Sequence, residues 1–227
     1  MEIHSFSLQF RKQFQNRESG FQTRDLLIAR ITEGGLTGLG EIAPLPGFSK
    51  ESLTQAREQF IGLSQQLRVK ELLQQEPAAI LKAILELDLY PSVECGILSA
   101  LLDLKAKIRN IPFHQLFTAQ SVKNIPCNAL VGLENRTDTS DAVLEAANKG
   151  FDCIKLKFGR PEFEMDNKVL RAAVEAGGSD MLFRLDANAG WRYEEALSHL
   201  NTLSEYPIDY IEQPLPAEQI DQLNRLQ

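Results

Sequence analysis

The sequence predicts an α+β domain over residues 1–120, followed over 121–227 by about the first four β–α units of a (β/α)8 TIM barrel. Three observations point there. The opening alternates as strands broken by glycine turns and then passes into helical periodicity, the order of an α+β domain. From residue 125 onward, strand-like and helix-like runs alternate four times, which implies parallel strands joined by right-handed crossovers. Polar side chains recur near the C-terminal ends of consecutive strands: Lys155 and Lys157, then Asp186 and Asn188, then Glu212. An open doubly wound sheet gathers its site at one switch point, whereas a barrel draws it from many strand ends around one axis.

Each element follows in order. Residues 3–10, IHSFSLQF, read as a strand. Residues 11–24, RKQFQNRESGFQTR, read as a polar loop, either a lid over a site or an ordinary long hairpin connection. Residues 25–31 form a second strand, and Gly34, Gly35, Gly38 and Gly40 punctuate a tight hairpin into a third. The glycines lack GxGxxG spacing, so no dinucleotide site is expected. Ser49 is placed to cap a helix running through Leu53, Ala56, Phe60 and Leu63. Pro77 opens a helix to about Leu89, and a third spans about Val93–Ile108.

The second part then reads as strand 125–132, helix 139–150, strand 151–159, helix 162–178, strand 181–188, helix 193–206 and strand 208–214. Another helix begins after Pro216. Four strands make half a barrel, which leaves an apolar face uncovered, so the chain is expected to be a truncated form.

Bulk properties narrow the function. The chain has 227 residues, a formal charge of −7 and a pI near 5.1, which disfavours a general nucleic-acid surface and leaves room for a local positive pocket. No apolar run approaches the ~20 residues of a membrane span, and no signal peptide is present, so a cytoplasmic protein is expected. Cys95, Cys127 and Cys153 form no CxxC and read as reduced core thiols. No oligomeric state is implied.

The strand-end residues suggest a chemistry. Alternation over FDCIKLKFG puts Lys155 and Lys157 on one strand face, with Ile154, Leu156 and Phe158 on the other. Asp186 and Glu212, on neighbouring strand ends, are suited to share Mg2+, with a third ligand expected from a further strand. Lys157 is the candidate base for a proton alpha to a carboxylate. Lys155 and the cation would lower its pKa, and the cation would stabilise the enolate. The lysines are expected to meet the carboxylates mainly through the shared ion and a small-molecule carboxylate substrate rather than by direct salt bridges. Arg24 flanks the polar loop and reads either as a contact for a substrate carboxylate or as an exposed arginine. Arg184 reads as half of a structural ion pair, His199 as a surface or capping histidine, and Trp191 as packing at a loop–helix junction.

Lys155-Leu-Lys157, Asp186-Ala-Asn188 and Glu212-Gln-Pro214 resemble the enolase superfamily in its muconate-lactonising branch. GEIAPLPGFSKESL, 40–53, together with RLDANAGW, 184–191, resembles the o-succinylbenzoate synthase family more narrowly. The resemblance implies a capping domain over the first 120 residues and a modified barrel after it. It implies Mg2+ on Asp186 and Glu212, Lys157 as base and then acid, Lys155 as its support, and Asn188 beside the metal ligand. The implied reaction is a syn dehydration of 2-succinyl-6-hydroxy-2,4-cyclohexadiene-1-carboxylate to 2-succinylbenzoate, in menaquinone or phylloquinone synthesis. A third ligand and an opposite lysine would lie beyond residue 227, so residues 1–227 alone are expected to be inactive. The alternatives are an N-acylamino acid racemase or dipeptide epimerase of the same branch, and a non-catalytic barrel fragment acting as an interaction module.

Overall fold

The computed structural model describes residues 1–15, 20–118, 120, 124–132 and 135–226, with the side chains of 11–15, 20 and 21 outside that description. The chain divides into two compact units, Met1–Lys123 and Asn124–Gln227.

In the first unit, strands β1 (Glu2–Gln15), β2 (Gly20–Glu33) and β3 (Leu36–Ile42) form an antiparallel sheet in sequence order. The expected polar loop over 11–24 is therefore largely strand. Pairing resumes at Phe14–Phe21 and Gln15–Gly20 after a register shift beyond Gln9. An antiparallel ribbon satisfies its own backbone groups whatever its side-chain polarity, which is why composition misread it. Residues 16–19, within the stretch read as either a lid or a long hairpin connection, lie outside the described residues.

Only two of the four hairpin glycines serve the turn. Gly34 and Gly35 have φ of +58° and +78°, as a tight hairpin requires. Gly38 and Gly40 lie within β3 and face helix α4 (Pro91–Arg109), where a Cβ on Gly40 would lie 1.9 Å from the Gly96 carbonyl oxygen. Helix α4 thereby packs directly on the sheet, and Ile97, Leu101 and Leu104 meet Leu27, Ala29, Ile31 and Ile42 in one core.

Helix α1 (Leu53–Ser64) is capped by Ser52, not by Ser49. The Ser52 hydroxyl accepts from Gln55 N–H while the Gln55 side chain accepts from Ser52 N–H, a reciprocal pair that Ser49 lacks a partner to make. The Ser49 hydroxyl accepts instead from Leu45 N–H at 2.9 Å. A short helix α2 (Val69–Gln74), not foreseen, precedes α3 (Pro77–Leu85).

In the second unit, β4 (Ala129–Val131), β5 (Cys153–Lys157), β6 (Leu182–Asp186) and β7 (Ile208–Glu212) form a parallel sheet in that order. Helices α5 (Arg136–Asn148), α6 (Phe163–Gly177) and α7 (Tyr193–Leu203) connect them. The chain thus comprises an α+β capping sheet and an incomplete (β/α)8 barrel, the predicted fold class. The final segment, Ala217–Arg225, is a 3-10 helix.

Ile154, Leu156, Phe183 and Leu185 are fully buried on the helix side of the sheet. Strand β7 carries Ile208 and Ile211, three residues apart, which strict alternation would send to opposite faces. A bulge resolves this. Phe183 pairs with Ile208 but Arg184 with Tyr210, so the ladder skips Asp209 and both isoleucines reach the core.

The cysteines correct an expectation. All three are free, but Cys95 and Cys127 are exposed and only Cys153 is buried. Cys95 sits between Val93 and Gly96–Ile97, which occupy the buried face of α4, and so points away from it. Among the described residues no helix is long and apolar enough to cross a membrane.

Candidate active site

The parallel register arranges the polar strand-end residues in two rows. The upper row runs Lys157, Asp186, Glu212 across β5, β6 and β7. The lower runs Leu130, Lys155, Arg184, Tyr210 from β4 to β7. Both lie on the face opposite the helices, because each member alternates with a core residue.

The rows are cross-linked by Lys155. Its Nζ lies 2.6 Å from Glu212 Oε2 and 3.3 Å from Asp186 Oδ2. This corrects, for Lys155, the expectation that lysines and carboxylates would meet mainly through a shared ion and substrate. An ammonium one row below two carboxylates has the reach to bridge both. Asp186 is itself held: Oδ1 accepts from the Asn188 backbone N–H at 3.1 Å and from Asn188 Nδ2 at 2.8 Å. That leaves Oδ2 directed at the cation.

Burial by itself would lower the Lys155 pKa. The hydrogen bond to Glu212 and the charge of Asp186 outweigh it, so the value is raised above the ordinary 10.5. The folded state thus holds this proton more tightly than the unfolded chain does. The resulting stability is fully present below the unfolded value and is lost as pH rises through the folded one. Lys155→Met is expected to flatten the decline of melting temperature above about pH 10.5, checked by thermal melts across that range.

The lower row is completed by Arg184, whose Nε donates to Asp209 at 2.9 Å and Nη1 to Asn128 Oδ1 at 3.0 Å, with the guanidinium 5.0 Å from the Tyr210 ring centroid. The ion-pair reading of Arg184 holds. Arg24 belongs to the first unit. Its Nη1 donates to the Pro44 carbonyl at 3.0 Å and its Nη2 to the Ala43 carbonyl, so it braces the segment after β3.

Beyond the strand ends the loops are zipped together. Ala187 N–H donates to Glu212 O, Ala189 N–H to Gln213 O and Trp191 N–H to Pro214 O, at 3.0, 2.7 and 3.2 Å. Asn188, Ala189 and Gln213 all sit at positive φ, 47°, 57° and 44°. Non-glycine residues in that region are strained, and such strain clusters where side chains must be aimed. Here it turns the chain sharply after Asp186 and Glu212.

Behind these loops, His199 stacks on Phe163 at 3.9 Å and meets the Trp191 ring edge-on at 4.9 Å. Burial lowers its pKa against the opposing charges of Glu195 and Glu164. It is therefore a packed aromatic, not a surface or capping histidine. Trp191, 3% exposed, does pack at the loop–helix junction. Sequence reading also passed over Asp166, a wholly buried carboxylate of α6. Its only trace in the sequence is an acidic residue in the first turn of the helix after Lys157.

Asp186 and Glu212 each turn a carboxylate oxygen toward the Lys155 ammonium, and carboxylate oxygens are donors that fit a hard divalent ion such as Mg2+. Among the described residues no group of three or more His, Cys, Asp or Glu gathers as a metal cluster.

Residues 1–104 match the family model "MenC, N-terminal domain", and residues 138–227 match "Enolase C-terminal domain-like". The chain is 30% identical to a hydrophobic dipeptide epimerase of Roseobacter litoralis, over 98% of this chain and 64% of that protein. It is 32% identical to an o-succinylbenzoate synthase of Aliivibrio salmonicida, over 90% of this chain and 57% of that protein. Its fold superposes with a TM-score of 0.88 on a dipeptide epimerase from Enterococcus faecalis V583 complexed with Mg and the dipeptide L-Leu-L-Tyr. That pair shares 24% identity, over 99% of this chain and 63% of that one. The chain thus spans less than two thirds of the length of these relatives. With both of its units matched in order and the Lys155-Leu-Lys157, Asp186-Ala-Asn188 and Glu212-Gln-Pro214 strand ends in one register, the chain belongs to the enolase superfamily, in its muconate-lactonising branch.

Proposed function

We propose that this protein takes part in Mg2+-assisted removal of a proton alpha to a carboxylate, with Lys157 as base, in the epimerisation of a dipeptide or an N-acylated amino acid. The observation that supports it is the single row Lys157–Asp186–Glu212, which sets a primary amine beside two carboxylates at three adjacent strand ends. Asp186 and Glu212 would hold the metal, with Asn188 fixing the Asp186 rotamer. The ion would supply positive charge to the carboxylate of the substrate as its α-carbon becomes more acidic. Lys155 would balance the carboxylates and hold the substrate anion. Arg24 would serve within the first unit by bracing residues 43–44 through their carbonyls.

The choice of substrate follows the chemistry of the proton's return. In an epimerisation the proton comes back to the opposite face, so a second acid must stand across from Lys157, as the resemblance implies. In a dehydration one lysine removes the proton and then protonates the departing hydroxide on the same face. The likeness to dipeptide epimerases, in sequence over 98% of the chain and in fold at a TM-score of 0.88, supports the first. A second reading, o-succinylbenzoate synthesis, is supported by the match of residues 1–104 to the MenC N-terminal domain.

The test is incubation of the full-length polypeptide with Mg2+ in D2O, with a panel of hydrophobic and cationic dipeptides, N-acylated amino acids and the cyclohexadiene carboxylate. The expected result is loss of the α-proton NMR signal and inversion for at least one dipeptide or N-acylated amino acid. Aromatisation of the cyclohexadiene without exchange on any amino-acid substrate would move the assignment to the synthase. Neither reaction would sink both readings.

A further inference from the structure

The loop that follows Lys157 is held by one buried carboxylate. Asp166 lies in the first turn of α6 and is 0% exposed. Its Oδ2 accepts from two consecutive backbone donors, Gly159 N–H and Arg160 N–H, each at 2.9 Å, and its Oδ1 accepts from Arg160 Nε. A carboxylate taken wholly out of water persists only when its lone pairs are met, and three donors from two residues meet them here.

The clamped loop is itself wedged against the loop carrying Asp186 and Asn188. Phe158 N–H donates to the Asp186 carbonyl at 2.8 Å, one residue past Lys157. Gly159 has φ of +92°, and a Cβ there would lie 2.5 Å from the Ala187 carbonyl oxygen. A Cβ on Gly190 would lie 2.7 Å from the Gly159 carbonyl oxygen. No side chain fits between these two turns, so their separation is set by backbone contact. Whatever seats Gly159 also sets the end of β5 against the end of β6.

From this geometry we infer that Asp166 is a positioning residue for Lys157, acting through the Phe158–Arg160 turn to fix the Lys157 strand end against Asp186. The inference rests on the proposed role of Lys157, but its physical content, a carboxylate holding one strand end against another, is separable from that role. The Asp166 carboxylate accepts from Gly159 and Arg160, the second and third residues after Lys157. Its effect passes from the Asp166 carboxylate to Gly159 and Arg160, and from there to Phe158 and the Ala187–Gly190 turn. Asparagine at 166 keeps the shape but replaces one acceptor oxygen with a donor, which then faces a backbone N–H or the Arg160 guanidinium.

The experiment compares Asp166→Asn with Leu170→Ala on the full-length polypeptide. Leu170 lies one turn further along α6, is fully buried in the core and makes no contact with the loop through a polar atom, so it reports loss of stability alone. Three readouts are taken: amide hydrogen exchange at Gly159 and Arg160, the rate of Lys157 acylation by peptide mass spectrometry with Lys149 and Lys168 as internal references, and kcat and KM for whichever substrate the assay above identifies. Asp166→Asn is expected to speed exchange at Gly159 and Arg160 by about tenfold or more, to change Lys157 acylation severalfold with the references unmoved, and to lower kcat by about tenfold with KM nearly unchanged. Leu170→Ala is expected to lower the melting temperature with none of these local changes. The inference is overturned if Asp166→Asn leaves Lys157 acylation as in the parent, or if Leu170→Ala reproduces the same three changes. Because exchange and acylation need no substrate, failure of the epimerase and synthase readings would appear separately, as absence of turnover in the parent protein.

Discussion

Alanine at position 157 is expected to slow α-proton removal by about 10²–10⁴-fold with little change in KM. Lys157 is the polar residue of β5 that shares a row with both Asp186 and Glu212. A base acts only in the step where the proton moves, so its loss falls on kcat and leaves ground-state binding by the other strand ends largely intact. Lys155 lies one row lower and is tied to both carboxylates, so Lys155→Ala should act differently. It removes the ammonium that balances Asp186 and Glu212, and raises KM as well as lowering kcat. The measurement is isotope exchange from the substrate α-carbon in D2O under single-turnover and steady-state conditions. An undiminished exchange rate in Lys157→Ala would remove Lys157 from the role of base.

Asp186→Asn is the second substitution with a large expected effect. It should weaken Mg2+ or Mn2+ binding by about 100-fold or more, since even supporting residues around metal ligands commonly contribute 10–100-fold. The cause is electrostatic. Asn188 occupies Asp186 Oδ1 through two hydrogen bonds, and Oδ2 is turned toward the Lys155 ammonium, where its negative charge would also serve a metal ion. An amide in its place carries no charge and turns a donor toward Lys155. Asn188→Ala should show the smaller loss of the range just given, because it frees the carboxylate to rotate without discharging it. Calorimetric titration of the three proteins with Mg2+, at fixed pH and ionic strength, checks the order. Equal affinities for the parent and Asp186→Asn would show that Asp186 is no ligand.

Much of this was legible in the chain. The two-part fold followed from periodicity: alternation with glycine turns, then 3.6-residue spacing, then four strand–helix repeats. The row of Lys157, Asp186 and Glu212 followed from their common place at strand ends, because parallel strands of similar length carry their ends to one edge. What periodicity misread were positions where another interaction outranked it. Residues 11–15 and 20–24 are largely polar yet lie in strands, with Phe14–Phe21 and Gln15–Gly20 paired, since backbone hydrogen bonds are indifferent to side chains. Ser49 was the expected cap, but it is Ser52 that has a glutamine three residues on to return the bond. His199 is isolated in sequence and stacked in space, because α7 carries it against Phe163 at the start of α6 and Trp191 in the loop before α7.

The amino-acid sequence by itself determined which chemical groups this protein presents at its strand ends: two lysines, two carboxylates and an amide, in the order that parallel β–α units deliver them. Strand alternation and chain order are local properties, and local properties survive without coordinates. Only the tertiary structure decided how those groups engage. Lys155 bridges Asp186 and Glu212 directly, Asn188 locks one oxygen of Asp186, a bulge at Asp209 brings Tyr210 and Glu212 into register, and buried Asp166 seats the turn after Lys157. Each depends on distances between segments far apart in the chain, set by backbone contacts such as that of Gly159 with Ala187, and no pattern of residue types along a sequence encodes such a distance.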